Sequence, residues 1–290
     1  MAHDACPKTR GYRTQVNMKL SFVRPRPELA PHIESLWVFE SALGMPAEQQ
    51  SLAAPNGCPK LIFLYGNSLV STVHGRVQHS REGLYFVGSR DCPALLRSSA
   101  QRIGFIGVEF FPQGAYPCFG IPMSDTANRL FEAETLFDRW GRQTTEKLLN
   151  LATTEQKVAC IQDELGLLLR KRRDRNPLVE FCVKTLKSAD GRLAMNELER
   201  QTGYTRRYLE LLFQQRVGFP PKVLAGIFRF QKFYRKWALG HSYNALKREL
   251  YADYYDEAHF CKEFKRMTGY SPRQFTRDVS NEFGRRLALR

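Results

Sequence analysis

The chain has 290 residues, 43% of them hydrophobic, and its 44 Lys and Arg against 29 Asp and Glu give a net charge of +15. That is enough apolar material for about two domains with cores of their own, and no run approaches the 18 apolar residues of a membrane-spanning helix, so none is expected. The seven cysteines, at 6, 58, 92, 118, 160, 182 and 261, are scattered without metal-ligand spacing, which fits a reducing, cytoplasmic setting better than a disulfide framework.

Residues 1 to 17 read as an arm, with Lys8, Arg10 and Arg13 among Gly and Thr; charges scattered there argue against a secretory signal. From residue 18 to about 124 the texture is β. Short apolar runs, rich in β-branched and aromatic residues, alternate with turn residues: Ser35–Phe39, Lys60–Tyr65, Leu69–Val73, Gly83–Val87 and Ile103–Phe111. That spacing predicts a β-barrel or sandwich. His74 and His79 flank an expected hairpin turn at Gly75-Arg76-Val77-Gln78. The rings of Trp37, Phe39, Phe63, Tyr65, Tyr85, Phe86, Phe105 and Phe110 either fill a core or line a ligand pocket.

From Asp125 to Arg170 the texture turns helical. Asp125 or Thr126 is the expected cap of a first helix, and Thr144 or Thr145 the start of a second. Thr153-Thr154-Glu155-Gln156 reads as a further N-terminus, followed by Val158, Ile161, Leu165, Leu168 and Leu169 at helical spacing. That stripe packs on the strands or forms a dimer seam. Arg170 to Arg175 reads as a cationic linker, with Pro177 in the first turn of the next helix.

The stretch from Leu193 carries the functional signal. A short amphipathic helix around Leu198 ends at Gly203, which takes a positive φ without steric cost. Thr205 then caps a helix whose Leu209, Leu212 and Phe213 face the first, the pattern of a helix-turn-helix. The other face of that helix presents Arg206, Arg207, Glu210, Leu211 and Gln214. It is either a solvated face or a reading face, on which Arg pairs with guanine, Glu accepts from cytosine, Gln pairs with adenine and Leu meets a thymine methyl. A second turn and helix follows, with Glu257, Ala258, Cys261, Lys262, Lys265 and Arg266 around the buried stripe of Phe260 and Phe264. Between the two lies a strut from Pro221 to Trp237, about 25 Å long at 1.5 Å per residue, which suits successive major grooves on one face of DNA. Arg229, Lys265 and Arg266 are placed for phosphates. Residues 170–290 hold 27 of the cations and 13 of the anions, so almost all excess charge sits on this half, the footprint of nucleic-acid binding.

The motifs together resemble the C-terminal domain of AraC/XylS-type transcription regulators. Gly218-Phe219-Pro220-Pro221, Asp256-Glu257-Ala258-His259-Phe260, Phe264-Lys265-Arg266 and Gly269-Tyr270-Ser271-Pro272 carry the likeness, which spans roughly Pro177 to Arg277. The chain departs from the pattern at Asp253 in the second turn, at Arg248 and Glu249 in the helix before it, and at Leu211. More weakly, Ala54–Phe63 and Gly107–Ala115 are similar to the cupin-like sensory domains attached to some members. The resemblance implies an α+β chain of two domains. Residues 18–170 would bind an effector or dimerise, as a cupin-like β-barrel or sandwich (18–124) with a helical extension (125–170). Residues 176–277 would be an all-α DNA-binding domain of two helix-turn-helix units joined by a long helix.

No P-loop, Gly-x-Ser-x-Gly, His-Glu-x-x-His or Rossmann fingerprint is present, so no catalytic residue, cofactor or metal is assigned. Cys58 beside Lys60 reads as an ordinary buried thiol rather than an activated one, and His259 as structural or a phosphate contact. The expected protein is a sequence-specific DNA-binding regulator of transcription, read as an activator, monomeric or homodimeric. Its partner is double-stranded DNA, with RNA polymerase and a small-molecule effector as further candidates and no membrane. The alternatives are an architectural nucleic-acid-binding protein of weak sequence preference, or a β-barrel enzyme with a DNA-binding appendage.

Overall fold

The computed structural model describes residues 18–45, 51–99, 101–172, 174–241, 254, 256–278 and 282–289. The N-terminal arm and the second turn with Arg248, Glu249 and Asp253 lie outside the described residues.

The N-terminal half forms two antiparallel sheets. In spatial order the larger holds β1 (Met18–Val23), β2 (Ile33–Ser41), β9 (Ile103–Phe110), β4 (Lys60–Tyr65), β7 (Gly83–Val87) and β10 (Leu130–Glu132). The smaller holds β3 (Ser51–Ala53), β8 (Ala94–Ser98), β5 (Leu69–Val73) and β6 (Arg76–Ser80). Of barrel and sandwich, the described strands make the open, two-sheet form, because no hydrogen-bonded ladder joins one sheet to the other among them.

Period-two alternation sorts the larger sheet's side chains. Leu36, Val38, Leu61, Phe63, Leu84, Phe86, Ile106 and Val108 enter one core. Trp37, Phe39, Leu64, Tyr85 and Phe105 enter another on the opposite face. The first face is covered by α1 (Tyr116–Phe119), α2 (Ala133–Asn150) and α3 (Thr154–Arg172). The interior strands β7 and β9 are therefore buried along their whole length. Gly107 belongs to this packing: a Cβ there would lie 2.2 Å from the Trp37 ring, so glycine lets the indole lie across the strand.

Several boundaries differ from expectation. The hairpin turn is His74-Gly75, both at positive φ (49° and 74°), and Arg76–Gln78 already belong to β6; a two-residue turn of this kind matches the twist of the strands it joins. Asp125 and Thr126 lie in a short 3-10 turn, Met123–Thr126. Thr144 and Thr145 fall inside α2, which begins at Ala133 and bends at Asp138 (φ 43°). The start of α3 is as read: Thr153 Oγ1 accepts from the Gln156 N–H, and Gln156 Oε1 accepts from the Thr153 N–H, both at 3.2 Å, a reciprocal capping box. Its stripe of Val158, Ile161 and Leu165 packs on the sheet. The helix runs to Arg172, so the first cations of the expected linker form its last turn, where positive charge offsets the helix dipole.

The C-terminal half is helical: α4 (Pro177–Ser188), α5 (Met195–Thr202), α6 (Arg206–Val217), α7 (Pro221–Ala238), α8 (Glu257–Thr268), α9 (Pro272–Asp278) and α10 (Glu282–Ala288). Two cores share α7. Leu224 and Phe228, toward its start, join Val179, Leu186, Leu198, Leu209 and Phe213. Phe230, Phe233 and Trp237, toward its end, join Phe260, Phe264 and Phe275. Each buried ring contributes about 1.5–3 kcal/mol over an exposed one. The last helix crosses back to the sheets: Phe283 is 4% exposed and packs edge-on against Phe39 at 5.2 Å.

Candidate nucleic-acid interface

The first helix-turn-helix is α5 and α6. Gly203 ends α5 in the left-handed region at φ 73°. Thr205 caps α6, its Oγ1 accepting from the Tyr208 N–H at 3.4 Å, and Glu199 Oε1 accepts from the Arg206 N–H at 2.6 Å. Two of the helix's orphan donors are thereby satisfied. Leu209, Phe213 and Val217 are buried, so Arg206, Arg207, Leu211 and Gln214 are left exposed and Glu210 half-exposed. Arg206 Nε lies 2.8 Å from Glu210 Oε1, a hydrogen bond that raises the arginine's pKa above its ordinary value. Among the described residues Arg207 has no ion-pair partner, while Arg206 and Glu210 restrain one another.

Two residues of this surface were missed from the sequence. Tyr204 and Tyr208 stack at 4.8 Å, each 46% exposed. Their spacing of four residues across a helix start was the available signal.

In the second unit, Asp256 caps α8 by accepting from the His259 N–H at 2.7 Å. Phe260 and Phe264 are buried; Glu257, Ala258, Lys262, Lys265 and Arg266 are exposed, and Cys261 is half-buried. The ring of His259 lies edge-on to Tyr254 at 5.6 Å. The strut between the units has 18 residues, about 27 Å at the helical rise.

Two of the cations placed for phosphates are engaged within the chain. Arg229 is 17% exposed, donates to the Gly191 carbonyl at 2.6 Å and lies 3.6 Å from Glu263. It ties the loop before α5 to α8. Arg266 Nη1 lies 2.6 Å from Asp91 Oδ2 in the N-terminal half, and Asp91 Oδ1 also accepts from Asn128 Nδ2 at 2.8 Å.

The N-terminal half thus holds both α6 and α8 toward their C-terminal ends. At α6 the buried Ser89 Oγ donates to the Val217 carbonyl at 2.8 Å. Beside it the Arg216 guanidinium sits 4.2 Å over the Tyr116 ring and 2.8 Å from Asp174. At α8 the tie is Arg266 to Asp91. The N-terminal turns of the two helices, which carry Arg206, Arg207, Glu257 and Ala258, are exposed.

From residue 21 to residue 132 the chain matches the family model described as Domain of unknown function (DUF6597). No curated protein matches it. Among solved structures it is similar to ToxT from Vibrio cholerae O395, with a TM-score of 0.45, 10% identity, and 84% of this chain and 98% of that one covered. It is also similar to the AraC-like transcriptional activator CuxR, with a TM-score of 0.32, 14% identity, and 82% and 87% covered. The EutQ protein of Clostridium difficile aligns with 32% of this chain and 67% of its own, at a TM-score of 0.25 and 15% identity. Scores this low leave the function to be read from the chain's own residues.

The described residues hold no cluster of three or more His, Cys, Asp or Glu arranged for a metal. Cys58 is buried, with Asn56 Oδ1 accepting from its backbone N–H. Burial pushes the thiols of Cys92 and Cys118 up to about 11 and about 12, so both are protonated near neutral pH. None of the helices described is long and apolar enough to cross a membrane.

Proposed function

We propose that this protein is a sequence-specific DNA-binding regulator of transcription, of the AraC/XylS type, controlled through its N-terminal two-sheet domain. The observation that carries the reading is a pair of capped helices, α6 and α8, exposing polar and basic faces from the two cores of one long helix. They sit on the half of the chain that holds almost all of the excess positive charge. Arg207, Glu210, Leu211 and Gln214 approach base edges on the first helix, with Thr205 and Arg206 at its start near the backbone. Glu257, Ala258, Cys261 and Lys262 are their counterparts on the second, and Lys265 meets phosphate. Arg266 reaches phosphate once it leaves Asp91. The chain works in the cytoplasm as a binding protein rather than an enzyme, with double-stranded DNA as its partner and RNA polymerase as the partner of an activator.

Gel-shift competition tests this against an architectural role. A regulator prefers a selected site over random DNA by about 10³-fold or more. Equal affinity for both would leave the architectural reading in its place.

A further inference from the structure

The N-terminal half contains a chamber of about 730 Å³ between its two sheets, within the range of small-molecule sites. Its walls are apolar where Trp37, Ile62, Leu96 and Phe105 meet Phe283 and Leu287 from α10. Its polar lining is one-signed. Lys60, Arg76, Arg90 and Arg129 reach it, and among the described residues lining it there is no Asp or Glu. A second cavity of about 580 Å³, toward the helical half, shares Lys60 and Arg90 with the first. Two of these cations are already engaged. Lys60 pairs with Glu109 at 3.3 Å, and Arg129 lies 4.5 Å over the Phe131 ring.

Arg90 is different. Arg90 lines both cavities, and its side chain has no hydrogen-bond or ion-pair partner among the described residues. Burial works against its charge, lowering its pKa from the ordinary value. A planar fork of donors lining a chamber whose described walls carry no carboxylate is complemented by a bidentate oxyanion.

The residues on either side of Arg90 are those that hold the two reading helices. Ser89 bonds the end of α6 and Asp91 bonds Arg266 of α8. Three consecutive residues therefore join one cavity to both helices.

We propose that Arg90 is the head-group site for an organic anion whose apolar body lies along Trp37, Ile62, Leu96 and Phe105, and that occupancy is passed to α6 and α8 through Ser89 and Asp91. The proposal rests on the reading of the N-terminal half as the controlling domain. It names the chemistry of the controlling ligand: an oxyanion on an apolar body of modest length. A neutral molecule of the same shape leaves Arg90 unsatisfied, and a fully hydrophilic anion leaves the walls uncovered.

The test uses the full chain and three probes with one apolar body: octanoate, octyl phosphate and octanol. Binding is measured by calorimetry without DNA. The site predicts that one or both anions bind at least about tenfold more tightly than octanol, the usual scale of a charge-assisted hydrogen bond. Which anion wins decides between a carboxylate and a phosphate head. Arg90→Gln should abolish the preference and Arg90→Lys should keep part of it. Leu96→Trp, which fills the chamber and leaves Arg90 in place, should weaken all three probes and serves if Arg90→Gln does not fold. Equal binding of the three probes, binding by none, or anion binding that survives both Arg90→Gln and Leu96→Trp overturns the site. A gel shift on the same protein reads the regulator hypothesis separately. Anion binding that depends on Arg90 in a chain that takes no specific DNA keeps the site and removes the regulator.

Discussion

The two exposed helices, α6 and α8, are held to the N-terminal half by different chemistry. At α6 the tie is a dry hydrogen bond, a buried serine hydroxyl on a backbone carbonyl, and the guanidinium beside it stacks on a tyrosine and pairs with Asp174 of the linker. At α8 it is an ion pair, Arg266 with Asp91, whose side chains are 39% and 22% exposed. A dry hydrogen bond changes little with salt, whereas a solvent-exposed ion pair is screened and contributes about 0–1 kcal/mol. The tie at α6 therefore persists as salt rises, and the tie at α8 weakens, while Phe260 and Phe264 keep α8 packed on α7. On the proposed reading Arg266 has a second destination, a phosphate, and the α8 tie would then compete with DNA directly. At α6 the Ser89 bond engages a backbone carbonyl and takes no side chain away from the exposed face of the helix.

The largest expected effect breaks one unit and spares the other. Phe264 is 1% exposed in the core shared by α7, α8 and α9. Phe264→Ala should cost about 3–5 kcal/mol of stability, read by denaturant unfolding. Because α6 belongs to the other core, footprinting should then keep the half of the site read by α6 and lose the half read by α8. Next comes Arg207→Ala, which should cost about 1–3 kcal/mol on the preferred site and relax the choice at one or two base pairs. Lys265→Ala should weaken all sequences alike and reduce the salt slope by about one unit. Circular dichroism must first show that both variants are folded.

The smallest effect sharpens the comparison. Asp91→Asn removes the ion pair that holds Arg266 and should cost stability only on the scale of an exposed salt bridge, about 0.2–1 kcal/mol. It should tighten DNA binding at low salt, because Arg266 no longer leaves a carboxylate to reach phosphate, and the gain should fade as salt rises. Ser89→Ala should show no such salt dependence. If the two substitutions respond to salt alike, the contrast between a dry and a screened tie is wrong.

What was legible in the sequence is what local chemistry dictates. Gly203, Thr205 and the stripe of Leu209 and Phe213 placed α6 because turn, cap and period are short-range signals. β4, β5 and β7 were read to their ends for the same reason, bounded by turn residues such as Gly66, Asn67 and Gly75. The partners of Arg229 and Arg266 were not legible. Both look like solvated cations on a helix face, and only the fold brings Gly191 and Asp91, respectively 38 and 175 residues away, within hydrogen-bond reach. The start of α2 was missed because neither Glu132 nor Ala133 is a side-chain cap. Nothing local in Ser89-Arg90-Asp91 shows that it touches a cavity and two helices at once, and nothing in Phe283 says that it enters a core built by the opposite end of the chain.

Selection of bound sequences from a random double-stranded pool, using the intact chain, tests the central claim most directly. If α6 and α8 each read a major groove from the two ends of one rigid strut, the recovered sequences will contain two short conserved blocks about one helical turn, 10–10.5 base pairs, apart. Arg207→Ala will blur one block and Lys262→Ala the other. Recovery of sequences with no common block, bound as tightly as the starting pool, would contradict the account.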